Sequence, residues 1–310
     1  MSQLLRQKTI RRPVYAIGIG VHSGKKVRMT LRPAGENTGI VFVRTDLPLA
    51  HGRPVAVRAD ALKVADTTLS TTLSDNGVQV ATVEHLMSAL WGLGIDNLVV
   101  ELNSEEVPIM DGSAAPFIHL INSVGVVEQR AARQFIRITR EIKVTQGDAV
   151  AILKPYAGFK AHYTFVADHP VFNRYPKQTT LDFNRVSYVD EVSAARSFGL
   201  IRELDQARAI NRCLGSSLEN AVGIDDAEVM NPEGLRYEDE FVKHKLLDAI
   251  GDLYLMGMPI LGEFRGHMSG HALNNKLARA VARCEDAWEI TTIGDAIEAD
   301  AGMMAAPATV

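Results

Sequence analysis

The stretch 241–254, FVKHKLLDAIGDLY, places His244, Asp248 and Asp252 at successive steps of four residues, with Lys245 beside them. On a helix those steps bring side chains to one side, each a turn above the last. An imidazole and a short carboxylate so placed can grip one Zn²⁺, because both project the same way. Val242, Leu246, Leu247, Ile250 and Leu253 make up the apolar arc of the same helix. Most polar stripes on helices are solvated faces, and standing alone this one reads that way as well. Its composition differs, with one histidine and two short carboxylates in place of the usual surface mixture of Glu, Lys and Gln.

Glu84 and His85 open an earlier helical pattern. Neighbours on a helix point about 100° apart, so one can bind a metal while the other addresses water on it. That division of labour is the one in H-E-x-x-H proteases. A single dipeptide carries little, and a lone histidine at a helix start more often caps or packs. A catalytic zinc takes three protein ligands and keeps one position for water, and His85, His244 and Asp248 supply that number for one ion. Glu84 could then accept the proton of an attacking water, and His271, in SGHALNNK, could protonate a departing nitrogen if Asp252 kept it cationic. His271 as a plain helix-terminal residue is the competing reading. The glycines at 18, 20 and 24 around His22 have the wrong spacing for a dinucleotide fingerprint and read as a hairpin. His267 is given no role, because Ser269 and Gly270 argue against a helix linking it to His271.

The elements that must position these groups follow from periodicity. Val27, Met29 and Leu31, then Val55 and Val57, alternate as strands with Gly, Pro and Asp-Asn-Gly turns between them. A helix is expected over 82–93, a buried strand over 97–102, and a second helix over 113–123 with Ser113 as its N-cap. The second half repeats that order, with strands at 135–144, 149–153 and 160–166, a helix at 238–256, a strand at 260–264 and a helix at 271–284. His85 and His244 therefore fall on corresponding helices. The polar segment 128–133 is expected to link the halves, 186–220 reads as an insertion with its own helix, and 299–310 as a flexible tail.

With 310 residues, 46% of them hydrophobic, the chain suits two medium domains better than one. A net charge of −4 leaves no basic field for nucleic acid, so no such partner is expected. The basic start lacks the apolar stretch of a signal peptide, and LYLMGMPILG is short and broken by Gly and Pro. No transmembrane segment is expected, and the cytoplasm is the expected compartment. Cys213 and Cys284 are expected as reduced thiols.

Taken in order, GIGVHSGKKV, TVEHLMSALWGLGIDN, PIMDGSAAPF, SFGLIREL, GLRYEDEFVKHKLLDAIGDLY and SGHALNNKL resemble the UDP-3-O-acyl-N-acetylglucosamine deacetylases of lipid A biosynthesis across nearly the whole chain. The resemblance implies an α+β fold of two similar domains, each a β-sheet with packed helices, the helical layers sandwiched between the two sheets. Domain I would span 1–127 with a small β insert at about 45–75, and domain II 134–298 with an insert at about 186–220 forming an acyl passage. It implies His85, His244 and Asp248 as ligands of a zinc ion, Glu84 as general base, and His271 as cationic acid supported by Asp252. Lys245 would lie near the reacting group and diphosphate, and Ser197, where relatives commonly have Thr, would steady an oxyanion. Phe198 and His22 match substrate-contacting positions, while Leu200, Ile201, Leu204 and Cys213 would line the acyl passage or form a small local core. Ala149, Ala167 and Met268 stand where some relatives have lysines or an aromatic, so uridine and diphosphate contacts are not carried over.

The reaction so implied is zinc-dependent hydrolysis of the 2-acetamido group of UDP-3-O-[(3R)-3-hydroxyacyl]-N-acetylglucosamine by a monomer, releasing acetate in the committed step of the pathway. Two alternatives stand beside it: a metal-dependent deacylase of another nucleotide sugar, and a catalytically inactive nucleotide-lipid binder. The insert discriminates against the first, and the complete set from Glu84 to His271 against the second.

Overall fold

The computed structural model describes residues 5–293, so the expected tail at 299–310 lies outside the described residues. In the first half, strands β1 (Arg6–Ile10), β2 (Val14–Ile19), β3 (Lys26–Pro33), β4 (Ile40–Arg44), β5 (Val55–Arg58), β6 (Val64–Asp66), β7 (Thr72–Asp75) and β8 (Val78–Val80) precede helix α1 (Glu84–Leu93), then β9 (Leu98–Leu102) and α2 (Ala115–Val124). The second half runs β10 (Val126–Ala132), β11 (Phe135–Ile138), β12 (Ile142–Gln146), β13 (Ala149–Lys154), β14 (Phe159–Thr164), β15 (Gln178–Asp182), α3 (Tyr188–Glu191), β16 (Phe198–Leu200), α4 (Ile201–Ala209), β17 (Val222–Ile224), α5 (Glu240–Tyr254), β18 (Ile260–His267), α6 (His271–Arg283) and β19 (Trp288–Thr291). The architecture is mixed α+β with several sheets, and among the described residues no helix is long and apolar enough to cross a membrane.

The repeat read from the sequence is written into the sheets. The first holds β2-β3-β9-β4-β5, where β9 lies antiparallel to β3 and parallel to β4. In the second, β18 lies antiparallel to β13 and parallel to β14, with β12 and β15 outside them. Each central strand follows one long helix and precedes another, so α1 corresponds to α5 and α2 to α6. β11 and β19 extend the second sheet on β18, which makes it the larger of the two.

The apolar arc of α5 is buried as its spacing demands, with Leu246, Leu247, Ile250 and Leu253 all at 2% exposure or less. Each such side chain contributes about 1.5–3 kcal/mol of burial. They share one core with Leu86 and Leu90 of α1, so the two helices are packed into the same interior. At Gly251 the two backbones approach closely: a Cβ there would lie 2.0 Å from the Glu84 carbonyl oxygen. α1 ends at Gly94, whose φ of 68° is the left-handed conformation of a helix C-cap.

Several sequence expectations are corrected. The 128–133 segment, expected to link the halves, carries no strand signal in the sequence, yet as far as Ala132 it belongs to β10, paired antiparallel with β1, so the joint itself is strand. Its polarity reflects a two-stranded ribbon with one wet side, and its partner is too remote in sequence to leave a local signal. α2 begins at Ala115 after Ala114, but Ser113 Oγ still accepts the Ala115 N–H at 3.3 Å while it donates to Asp111 Oδ1 at 2.8 Å within the preceding turn. α1 begins at Glu84, not at 82, because Thr82 has a φ of 58° and its hydroxyl reaches Glu106 Oε1. The run 135–144 is two strands interrupted at 139–141, and the strand expected over 260–264 continues to His267. Gly20 and Gly24 do lie in the turn of an antiparallel hairpin, β2-β3, while Gly18 is within β2 and paired with Val27. The segment 186–220 carries α3, β16 and α4.

Candidate metal centre

α5 and α1 bring His244, Asp248 and His85 together, with one ligand atom of each inside a 4.8 Å span and all three buried. Asp248 Oδ1 stands 3.4 Å from Nε2 of His85 and 3.4 Å from Nε2 of His244. Two atoms on tetrahedral bonds of about 2.0–2.1 Å to a shared ion are about 3.3 Å apart, so these separations suit common coordination. The imidazole rings meet edge to face at 82°, which lets both lone pairs converge without the rings stacking. His244 Nδ1 bonds the Ala195 carbonyl at 3.1 Å, which fixes the tautomer with the proton there and frees Nε2.

Asp248 Oδ1 is buried without a hydrogen-bond partner, a costly condition for a carboxylate oxygen unless a cation meets it. The donor set and this orphaned oxygen fit a divalent metal ion. Among the described residues this is the one such cluster of three. Asp248 Oδ2 is met by Lys245 Nζ at 2.7 Å. Burial alone would raise the Asp248 pKa, but the neighbouring His244 ring and the Lys245 ammonium override it and hold the group well below its usual value. Burial drives His244 down to about 3, against the opposing pull of Asp248, so its imidazole is neutral as a metal ligand must be.

A second network lies against the first. Glu84, one residue before His85, accepts the Thr71 N–H on Oε2 at 3.0 Å and turns Oε1 to within 4.0 Å of His271 Nε2. Burial pushes the Glu84 carboxyl upward, with His271 and His85 pulling the other way. His271 opens α6, and its Nδ1 bonds Asp252 Oδ2 at 2.9 Å. Burial would lower its pKa, yet Asp252, with Glu84 and Asp248 behind it, lifts it to about 9. A carboxylate inclined to take a proton thus faces an imidazolium inclined to keep one until a base develops nearby.

Around these groups the other expected residues fall at varied distances from the cluster. Phe198 packs edge-on against His244 at 5.9 Å, and Lys245 lies over the Phe198 ring at 5.8 Å. Ser197 Oγ donates to the Gly112 carbonyl at 3.2 Å, so it must turn to meet any other acceptor. His22 is buried, its Nδ1 accepting the Cys213 N–H at 3.3 Å, and it lines a cavity of about 390 Å³ with Thr72, Glu106 and Arg212. Leu200 packs with Phe198 on a small second core. Ile201 is 43% exposed and Leu204 half-buried on α4, a helix that buries none of its residues, so the structure does not gather these two with His85, His244 and Asp248.

Thr71 and Asn274 were not foreseen. The Thr71 hydroxyl donates to Asp252 Oδ1 at 2.6 Å while its N–H holds Glu84, so one residue ties both networks together. Asn274 Nδ2 donates to Asp252 Oδ2 at 2.9 Å. Asn274 could have been found, since it follows His271 by one helical turn; nothing in the run around Thr71 marks it.

Compared with known proteins, residues 7–283 match the family model described as UDP-3-O-acyl N-acetylglycosamine deacetylase. The chain is 54% identical over 293 residues to the UDP-3-O-acyl-N-acetylglucosamine deacetylase of Marinobacter nauticus, covering 94% of this chain and 95% of that one. It is 55% identical over 305 residues to the protein of the same description from Chromohalobacter salexigens, at 98% and 99% coverage. A third, from Hahella chejuensis, is 53% identical over 297 residues, at 96% and 97% coverage.

Proposed function

This chain belongs to the UDP-3-O-acyl-N-acetylglucosamine deacetylase family, and on that premise we propose that it cleaves the 2-acetamido group of UDP-3-O-[(3R)-3-hydroxyacyl]-N-acetylglucosamine by zinc-assisted hydrolysis. The observation that carries the reading is the juxtaposition of a buried His85–His244–Asp248 ligand set with a carboxylate and an imidazole 4.0 Å apart. The same reading takes the protein as a cytoplasmic monomer of two domains, 1–127 and 134–298, joined at 128–133, their helices layered between two sheets. The repeated strand order and the core shared by α1 and α5 support that arrangement.

His85, His244 and Asp248 would hold the ion, which when bound supplies Lewis acidity toward a carbonyl and lowers the pKa of water. Glu84, anchored through Oε2 by Thr71, takes the proton of the attacking water on Oε1. His271, kept protonated by Asp252, gives its Nε2 proton to the sugar nitrogen as the C–N bond breaks, so that acetate and a free amine result. Lys245 offsets the negative charge of Asp248, and Ser197, after leaving Gly112, can donate to the tetrahedral oxyanion. His22, Phe198, Leu200, Ile201, Leu204 and Cys213 are assigned to the sugar and acyl chain. The test is acetate release from UDP-N-acetylglucosamine with and without the 3-O-acyl group, after chelation and after zinc is returned. Release should need both the acyl group and the metal; equal rates on both substrates would point to another nucleotide sugar, and zinc binding with no release would leave only a binder.

A further inference from the structure

The five-stranded sheet of the first half has two faces of opposite character. Inward, Val27, Met29, Leu31, Phe42 and Val57 are fully buried. Outward, β2 shows Tyr15, Ile17 and Ile19, which are 57%, 52% and 38% exposed. A sheet with one wet face ordinarily keeps its large apolar side chains on the other. The pairing with β3 sets Tyr15 opposite Thr30, Ile17 opposite Arg28 and Ile19 opposite Lys26, so the apolar row lies directly beside a cationic one. The Arg28 guanidinium lies 4.8 Å over the Tyr15 ring.

The same face continues across the sheet through Val99 and Glu101 of β9, Val41 and Val43 of β4, and Arg58 of β5. Lys26, Arg28, Arg32 and Arg58 thus point outward with a single carboxylate, Glu101, which pairs with Arg32 at 2.7 Å. A chain with net charge −4 has concentrated positive charge on one half-apolar surface. No described element covers it.

We propose that this face docks on an anionic lipid surface, Tyr15, Ile17 and Ile19 entering the headgroup layer while Lys26, Arg28 and Arg58 meet lipid phosphates. Aromatic and aliphatic side chains beside cations are the pairing such a surface selects. Charge decides against a second copy of the chain, since two identical faces in two-fold contact would oppose like charges. Nucleic acid would leave the apolar row unmatched. None of these residues belongs to the metal centre, so the proposal stands apart from the amide chemistry.

The purified full-length protein is floated with vesicles of phosphatidylcholine alone and of equal parts phosphatidylcholine and phosphatidylglycerol. It should float only with the anionic vesicles, and less as salt is added. Lys26→Glu combined with Arg28→Glu should abolish flotation, and Ile17→Ser should weaken it by about tenfold at unchanged charge. Parental acetate release by these variants will show that they are folded. A protein left behind by anionic vesicles, or one whose variants float equally well, overturns the proposal. So does a dimer in light scattering that Ile17→Ser dissociates while vesicles stay unbound, because the face would then join two copies.

Discussion

The histidine at the start of α6 shows how far single residues can be read and where they must be measured. His271 is raised from an ordinary value of 6.5 to about 9 by Asp252, Glu84 and Asp248, in spite of its burial. A folded-state pKa above the unfolded one stabilises the fold below the unfolded value, and that contribution disappears as pH rises through the folded value. For metal-free protein, urea unfolding should therefore show stability falling between about pH 6.5 and about pH 9, by on the order of 3 kcal/mol, a slope that His271→Gln removes. An unchanged slope in the variant would mean that other groups carry the dependence. The pairing of His271 with Asp252 was legible as a hypothesis because both types and their helices were recognisable. The link through Thr71 was not, since its hydroxyl bonds a residue 181 positions away and threonine in an irregular run carries no periodic mark.

Among the elements, those whose geometry is local were legible in the sequence, and those that depend on a remote partner were not. The i, i+4 stripe on α5 needs only the helix itself, and it emerged with its ligand atoms converging. β10 needs β1, more than a hundred residues earlier, so its alternation of exposed and half-buried polar residues resembled a connector. That α1 and α5 meet was expected from the repeat, but the close approach at Gly251 was not, because a glycine within a helical run does not show what packs against it. Alanine there should favour an isolated helix by about 1 kcal/mol. The Cβ placed 2.0 Å from the Glu84 carbonyl reverses that, since backbone cannot yield as a side chain end can. Overpacking of this kind costs about 1–3 kcal/mol and must move Glu84 and His85 relative to His244 and Asp248. Gly251→Ala should thus lower the melting temperature and weaken zinc binding together, read by calorimetry and by competition with a chromogenic chelator. A melting temperature above the parent's would refute the close packing of the two helices.

Over the whole molecule, the duplicated sheet order explains why a metal site can depend on both halves at once. α1 belongs to the first repeat and α5 to the second, so His85 and the His244–Asp248 pair come together only when both have folded and packed. The sequence contained this as a repeat of element types, while strand order and the shared core required the structure, because pairing partners such as β13 and β18 are separated by a hundred residues. An ion bound across such a seam is linked to folding of the whole: ligands present only in the native state add RT ln(1 + [L]/Kd), about 2.7 kcal/mol at a hundredfold excess over Kd. For a chain of this size that is a rise of roughly 4 °C in melting temperature. Chelation should remove the increment and zinc restore it, whereas Asp248→Ala, lacking one ligand, should melt at nearly the same temperature with or without zinc. A melting temperature of the parent protein that ignores zinc, while acetate release still requires it, would place the functional ion somewhere other than between these two helices.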